Sequence, residues 1–138
     1  MDDFTFRGLT RQVQPSPMSC AQTCIAMAMD VPVADVIKLL GDKGMTQRQL
    51  LSALDRFGLV WNRLVFDTIV HTGWYFASVP SLNVKGGMHQ VLVHFDYERG
   101  CSGITVMDPS ARIAYDQRGA DLYCYRELVI FRPGGRLK

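Results

Sequence analysis

Four residues of complementary chemistry are spread along this chain. Gln14 stands six residues before Cys20, which opens the apolar run CAQTCIAMAM; His89 begins the segment HQVLVHF; Asp108 sits in the turn-like MDPS. Together they supply the parts of nucleophilic acyl chemistry: a thiolate to attack a carbonyl, an imidazole to carry the proton, a carboxylate to fix its tautomer, and an amide N–H for the oxyanion. Cys20 suits the nucleophile's part, because the first position of a helix offers unpaired N–H groups and the positive end of the macrodipole, both of which lower a thiol pKa. Cys24, a full turn further in among apolar neighbours, reads as a small core residue. A cysteine at a helix start is more often structural, since free cysteine is among the most buried residue types. Its company is what points to chemistry.

The remaining candidates fit less well. His71, in VHTGW, and His94, mid-strand on the face opposite His89, lack an equally placed acid and read as structural or exposed. Asp96 lies at the wrong end of its hairpin, and Asp67 reads as a turn or surface carboxylate. The cysteines, Cys20, Cys24, Cys101 and Cys124, form no CxxC pair and match no histidine spacing, so no zinc site, no cofactor and free thiols are expected.

The elements that must position these groups read as helices first and strands after. Ser19 followed by Gln22 fits a capping box, which makes Ser19 the N-cap of a buried helix over Cys20–Met29. A second helix begins near Pro32 as a first-turn residue, carries Val33, Val36, Ile37 and Leu40 on one face, and stops at Gly41. Thr46 with Gln49 repeats the capping pattern for a third, lined by Leu50, Leu51, Leu54 and Phe57 and ended by Gly58. Strands are predicted near Leu59–Phe66, Trp74–Val79, Met88–Tyr97, Ile104–Met107, Arg112–Tyr115 and Tyr123–Phe131. This order predicts one α+β domain over residues 1–138, with N-terminal helices packed on a C-terminal antiparallel sheet. A short turn around Glu98–Ser102 makes a hairpin of the third and fourth strands, and its topology brings His89 and Asp108 to the same end. Direct pairing would set their Cβ atoms roughly 4.5–5.5 Å apart.

Composition narrows the classes. The chain has 138 residues, 48% of them hydrophobic, enough for one core. Its 15 Lys and Arg against 13 Asp and Glu are scattered, leaving no electrostatic footprint for nucleic acid or a membrane surface. MDDFTFRGL has neither the basic nor the apolar region of a secretory signal, and no apolar run is long enough to span a bilayer. Synthesis in the cytosol is the expectation, with signal-independent export as an effector a further route.

The order of glutamine, helix-opening cysteine, a TQRQLLSALDRFGL-type helix, the GGMHQVLVHF strand and a DPS turn resembles the papain-like double-glycine peptidases, which trim leader peptides from bacteriocins. The resemblance runs from about Gln14 to Pro133 and is closest in CAQTCIAMA. It implies a papain-like fold with Cys20 as nucleophile, His89 as base and acid, Asp108 as orienter and Gln14 as an oxyanion donor beside the Cys20 N–H. The chain departs from that pattern with Ala21 in place of the usual glycine, Ser19 in place of the usual acid, and Gln90 where an apolar or aromatic residue is usual. It also lacks the transporter parts to which many members are fused.

The leading expectation is therefore a cysteine-dependent amide hydrolase, most simply a thiol peptidase with a peptide or protein substrate. Two alternatives remain open: a deamidase or acyl-transferring effector acting on a side-chain amide, and a non-catalytic peptide-binding domain. Of the two double glycines, Gly86–Gly87 is expected to let the backbone approach the site before His89. Gly134–Gly135 reads as a turn and a frayed end rather than a self-processing site.

Overall fold

The computed structural model describes residues 4–64, 71–122, 125 and 127–138. The helices lie where the apolar periodicity sets them: α1 over Cys20–Met29, α2 over Val33–Leu40 and α3 over Gln47–Arg56. Pro32 is the extended N-cap of α2 rather than its first helical residue, and Gly41 closes it at φ 84°. At α3 the capping box forms in full: Thr46 Oγ1 accepts from Gln49 N at 3.2 Å, and Gln49 Oε1 accepts from Thr46 N at 2.8 Å.

Ahead of α1 a small hairpin pairs β1 (Thr5–Phe6) with β2 (Leu9–Thr10), which periodicity over so few residues does not reveal. The main sheet comprises β3 (Trp61–Arg63), β4 (Gly73–Pro80), β5 (Met88–Phe95), β6 (Ile104–Met107) and β7 (Glu127–Phe131), in the order β3-β7-β4-β5-β6 with every neighbour antiparallel. The architecture is α+β. Val65 and Phe66 of the first predicted strand, Asp67, and Tyr123, Cys124 and Arg126 of the last predicted strand lie outside the described residues.

The predicted strand over Arg112–Tyr115 is a loop. Its backbone polar groups are taken by side chains instead of a ladder: Ile113 pairs both its N–H and its carbonyl with the Asn83 amide, and Tyr115 N donates to Asp108. The predicted Glu98–Ser102 turn is a longer segment over Tyr97–Gly103, two 3-10 turns joined across a kink at Gly100.

Strand alternation divides the core. Phe76, Leu92, Met107 and Val129 face α1, against Cys24, Ile25 and Met27, while Tyr75, Ala77, Val91, Val93 and Val106 pack on the other face with Tyr115 and Leu128. Burial of both faces is what holds the sheet's register. The C-terminal segment is docked, not frayed: Gly134 N donates to Ala28 O, Arg136 N donates to Phe57 O, and Leu137 packs against the helical core. Gly135, at φ 89°, passes so close that a Cβ there would lie 2.6 Å from Phe57 O. This glycine pair is held at the end of α1 remote from Cys20, about 12 Å along the helix. Among the described residues no helix is long and apolar enough to cross a membrane.

Candidate active site

Residue 90 seats the helix on the strand. Cys24 Sγ donates to Gln90 O at 3.3 Å, and one turn earlier Cys20 receives a backbone hydrogen bond from the same residue. Two sulfurs four residues apart thus meet the two backbone polar groups of one residue of β5, which brings Cys20 beside His89. Cys24 is wholly buried and docks the helix; burial above all, with the nearby charges of Cys20 and Asp108, pushes its thiol pKa well up. It is no competing nucleophile.

His89 Nε2 lies 2.6 Å from Asp108 Oδ1, with side-chain exposures of 11% and 2%. The two are not directly opposed. Leu92 pairs with Met107, so one step further Asp108 falls level with Val91, and His89 lies two residues beyond. The side chains meet because both project to the same side of the sheet and the chain turns inward after Met107. Asp108 is fixed by backbone donors: Ser110 N reaches Oδ1 at 2.9 Å and Tyr115 N reaches Oδ2 at 2.8 Å. With Nε2 engaged, Nδ1 is the nitrogen left for Cys20, and thiol and imidazole lie near enough for each to shift the other's pKa.

The electrostatics follow. Burial alone would raise the Cys20 pKa, but the hydrogen bond and charge of His89, with backbone donors at Gln90 and Ala21, outweigh it and hold the thiol below its ordinary value. Burial would likewise neutralise His89, yet its bonds to Asp108 and Cys20 push it up to about 9. Thiolate and imidazolium are the forms each partner stabilises in the other.

The capping box expected at α1 does not form. Ser19 has no side-chain cap bond: its Oγ donates to Ser16 O at 3.1 Å and accepts from Ser16 N at 3.2 Å. Gln22 turns into the fold, where its Nε2 donates to Gly41 O at 2.9 Å and Lys43 O at 2.6 Å. Of the first-turn N–H groups, that of Ala21 is among the donors that lower the Cys20 pKa.

Gln14 is buried and lines the same cleft as Cys20 and His89. Its Nε2 donates to Ser16 O at 2.8 Å, which commits one of two amide hydrogens and fixes the group. Its own N donates to Pro109 O at 2.7 Å, tying it to the residue after Asp108. Arg11, which sequence reasoning passed over, completes this strap. Its side chain is buried, with Nε on Asp108 O at 2.7 Å and Nη2 on Ser110 O at 2.7 Å. Nothing local in TRQVQ signals it, because both acceptors lie nearly the whole chain away.

His94 is buried edge-on against Trp74 and Phe6, on the helix-facing side of the sheet and away from His89. Burial and the Arg7 charge lower its pKa. His71 is exposed, its carbonyl accepting from Tyr75 Oη. Asp96 caps the 3-10 segment by accepting from Glu98 N. No group of three or more His, Cys, Asp or Glu among the described residues is placed to hold a metal ion.

The cleft has two arms that share Pro17, Cys20, Met88 and His89. One, of about 490 Å³, extends over Met18, Met45 and Gln90; the other, of about 310 Å³, extends over Gln14, Asn83 and Arg112. A chain crossing Cys20 enters both. No protein-family model matches this sequence and no curated protein matches it.

Proposed function

We propose that the protein is a cysteine-dependent amide hydrolase of papain-like design, a thiol peptidase in its simplest form. The observation that carries this reading is the continuous chain of contacts from Cys20 through His89 to Asp108, at the junction of two cleft arms. In the mechanism it supports, the Cys20 thiolate attacks the substrate carbonyl carbon and the carbonyl electron pair moves to oxygen. Cys20 N–H and the second Gln14 amide hydrogen stabilise that oxyanion. The intermediate collapses with loss of the amine, which takes its proton from imidazolium His89. His89, now neutral, removes a proton from water, whose attack on the thioester releases the acid and regenerates the thiolate. Asp108 holds the imidazole orientation throughout.

The resemblance to the double-glycine peptidases agrees with this reading in residue order. Their substrates are not carried over, because function resides in the site rather than the fold. A thiol-directed activity probe tests the proposal. Selective labelling of Cys20 below pH 7, with Cys24 unlabelled, is expected; labelling spread over several cysteines only at alkaline pH would leave a structural thiol. Product masses then separate the reactions, since peptidolysis cuts the chain whereas side-chain deamidation leaves it whole and adds roughly one dalton.

A further inference from the structure

The larger cleft arm contains two amide groups whose hydrogens have no use inside the protein. Gln90 is 7% exposed, and its Oε1 accepts from Ser78 Oγ at 3.1 Å, which orients the group; its Nε2 is shielded and has no partner among the described residues. Gln47 Nε2, on α3 across the arm, is shielded and likewise without a partner. Both residues line the arm with Cys20 and His89. Buried donors are nearly always satisfied, and each one left open costs about 1–3 kcal/mol. Two in one cavity, beside a nucleophile, mark a place where a ligand supplies the acceptor.

The rest of the lining says which acceptor. Met18, Met45 and Met88 supply flexible apolar walls suited to an unbranched aliphatic stem. Glu127 is the arm's one carboxylate, paired with Arg63 at 2.9 Å, and no Lys or Arg lines the arm among the described residues. The lining imidazolium of His89 is already paired with Asp108, so a substrate carboxylate would meet Glu127 without a free cation. A carboxamide would satisfy both sides, its oxygen accepting from Gln47 and Gln90 and its NH₂ donating to Glu127 or Ser78.

We infer that this arm recognises a glutamine side chain of the substrate, presented beside the carbonyl that Cys20 attacks or itself carrying that carbonyl. The inference rests on the amide-hydrolase reading and names its substrate class. Discrimination would come from hydrogen-bond donors that an aliphatic analogue leaves unpaired and from a carboxylate that repels an acidic one.

The test uses the Cys20→Ala protein and a fluorescein-labelled, alanine-rich peptide with one central glutamine. Counterparts carry glutamate or methionine at that place. By fluorescence anisotropy the glutamine peptide should bind at least about tenfold more tightly than either, as expected for one well-made buried hydrogen bond. Gln90→Met and Gln47→Met should each erase the advantage over methionine, and Glu127→Gln should narrow the gap to glutamate. Gln47 lies on a different element from Gln90, so a folding defect in one variant leaves the other to decide. Equal binding of all three peptides, or a preference that survives both methionine variants, would overturn the inference. The native enzyme separates it from the parent reading. Cleavage or deamidation at glutamine supports both; a glutamine preference in binding without turnover sustains the inference and defeats the hydrolase. Turnover indifferent to glutamine does the reverse.

Discussion

Ser19-Cys20-Ala21-Gln22 and Thr46-Gln47-Arg48-Gln49 present the same helix-start pattern, a hydroxyl followed three residues later by glutamine, yet only the second closes into a capping box. At α3 the start is exposed, and the cheapest partners for the orphan N–H groups are the side chains of the box itself. At α1 the start is buried against β5, and both side chains have stronger obligations: Ser19 to the Ser16 turn, Gln22 to the carbonyls of Gly41 and Lys43. The Cys20 sulfur at this start has the Ala21 N–H among the donors that lower its pKa. One pattern therefore gives a structural helix start in one place and a reactive one in the other, and burial decides between them.

The largest effect tests whether α1 begins at a nucleophile at all. Cys20→Ala should reduce kcat by about 10⁶, the scale for losing the nucleophile of a triad. Cys24→Ala removes only a docking thiol and should keep most activity. The reverse ranking in steady-state assays would move the chemistry one turn along the helix.

Next in size is the loss of what α1 has and α3 lacks, a histidine beside the first residue. Thiolate forms as pH rises through the lowered Cys20 pKa, and imidazolium is lost as pH rises through about 9, so activity should rise on the acid side and fall on the alkaline side of that window. His89→Ala removes the strongest influences lowering the Cys20 pKa and leaves burial, which raises it, against the backbone donors of Gln90 and Ala21. The alkylation midpoint of Cys20 should then move to higher pH. Asp108→Asn should leave the thiol reactive but reduce kcat by about 10⁴ through misorientation of the imidazole. An unchanged midpoint in His89→Ala would show that the helix start alone ionises Cys20.

Gln14→Ala comes third, at about 10²–10³ in kcat, the usual scale for one oxyanion donor. Alkylation of Cys20 should persist, because that reaction builds no oxyanion. If alkylation is lost while the circular dichroism spectrum is unchanged, Gln14 serves the thiolate instead.

What could be read from the sequence divides along the same line. The spans of α1 and α3, the Ile104–Met107 strand and the meeting of His89 with Asp108 rest on local periodicity and hairpin topology, and the structure has them. The turn of Gln22 away from its box toward Gly41 and Lys43, the loop in place of a strand at Arg112–Tyr115 and the strap through Arg11 depend on partners distant in the chain, while Ser19 is lost to a local turn at Ser16. Local preference loses where another hydrogen bond of the assembled fold competes for the same group. Gln47 shows the limit: its place on α3 is legible, but the unpaired amide facing the cleft is a property of the assembled fold.

The smallest effect compares the two glutamines directly. Gln22 is wholly buried, and truncating it to alanine strands two carbonyls that its amide now satisfies, besides opening a void. Gln22→Ala should therefore cost about 1–3 kcal/mol in chemical denaturation. It should also lower activity by freeing the Gly41–Lys43 segment, which leads into Gly44 and Met45 of the cleft arm. Gln49 is exposed and closes only its own box, so Gln49→Ala should cost about 0.5–1 kcal/mol and leave kcat unchanged. Equal costs would mean that α1 is capped in solution after all. Ser19 Oγ would then hold the Gln22 N–H as Thr46 Oγ1 holds that of Gln49, and the reactive start would differ from the structural one chiefly in the presence of His89.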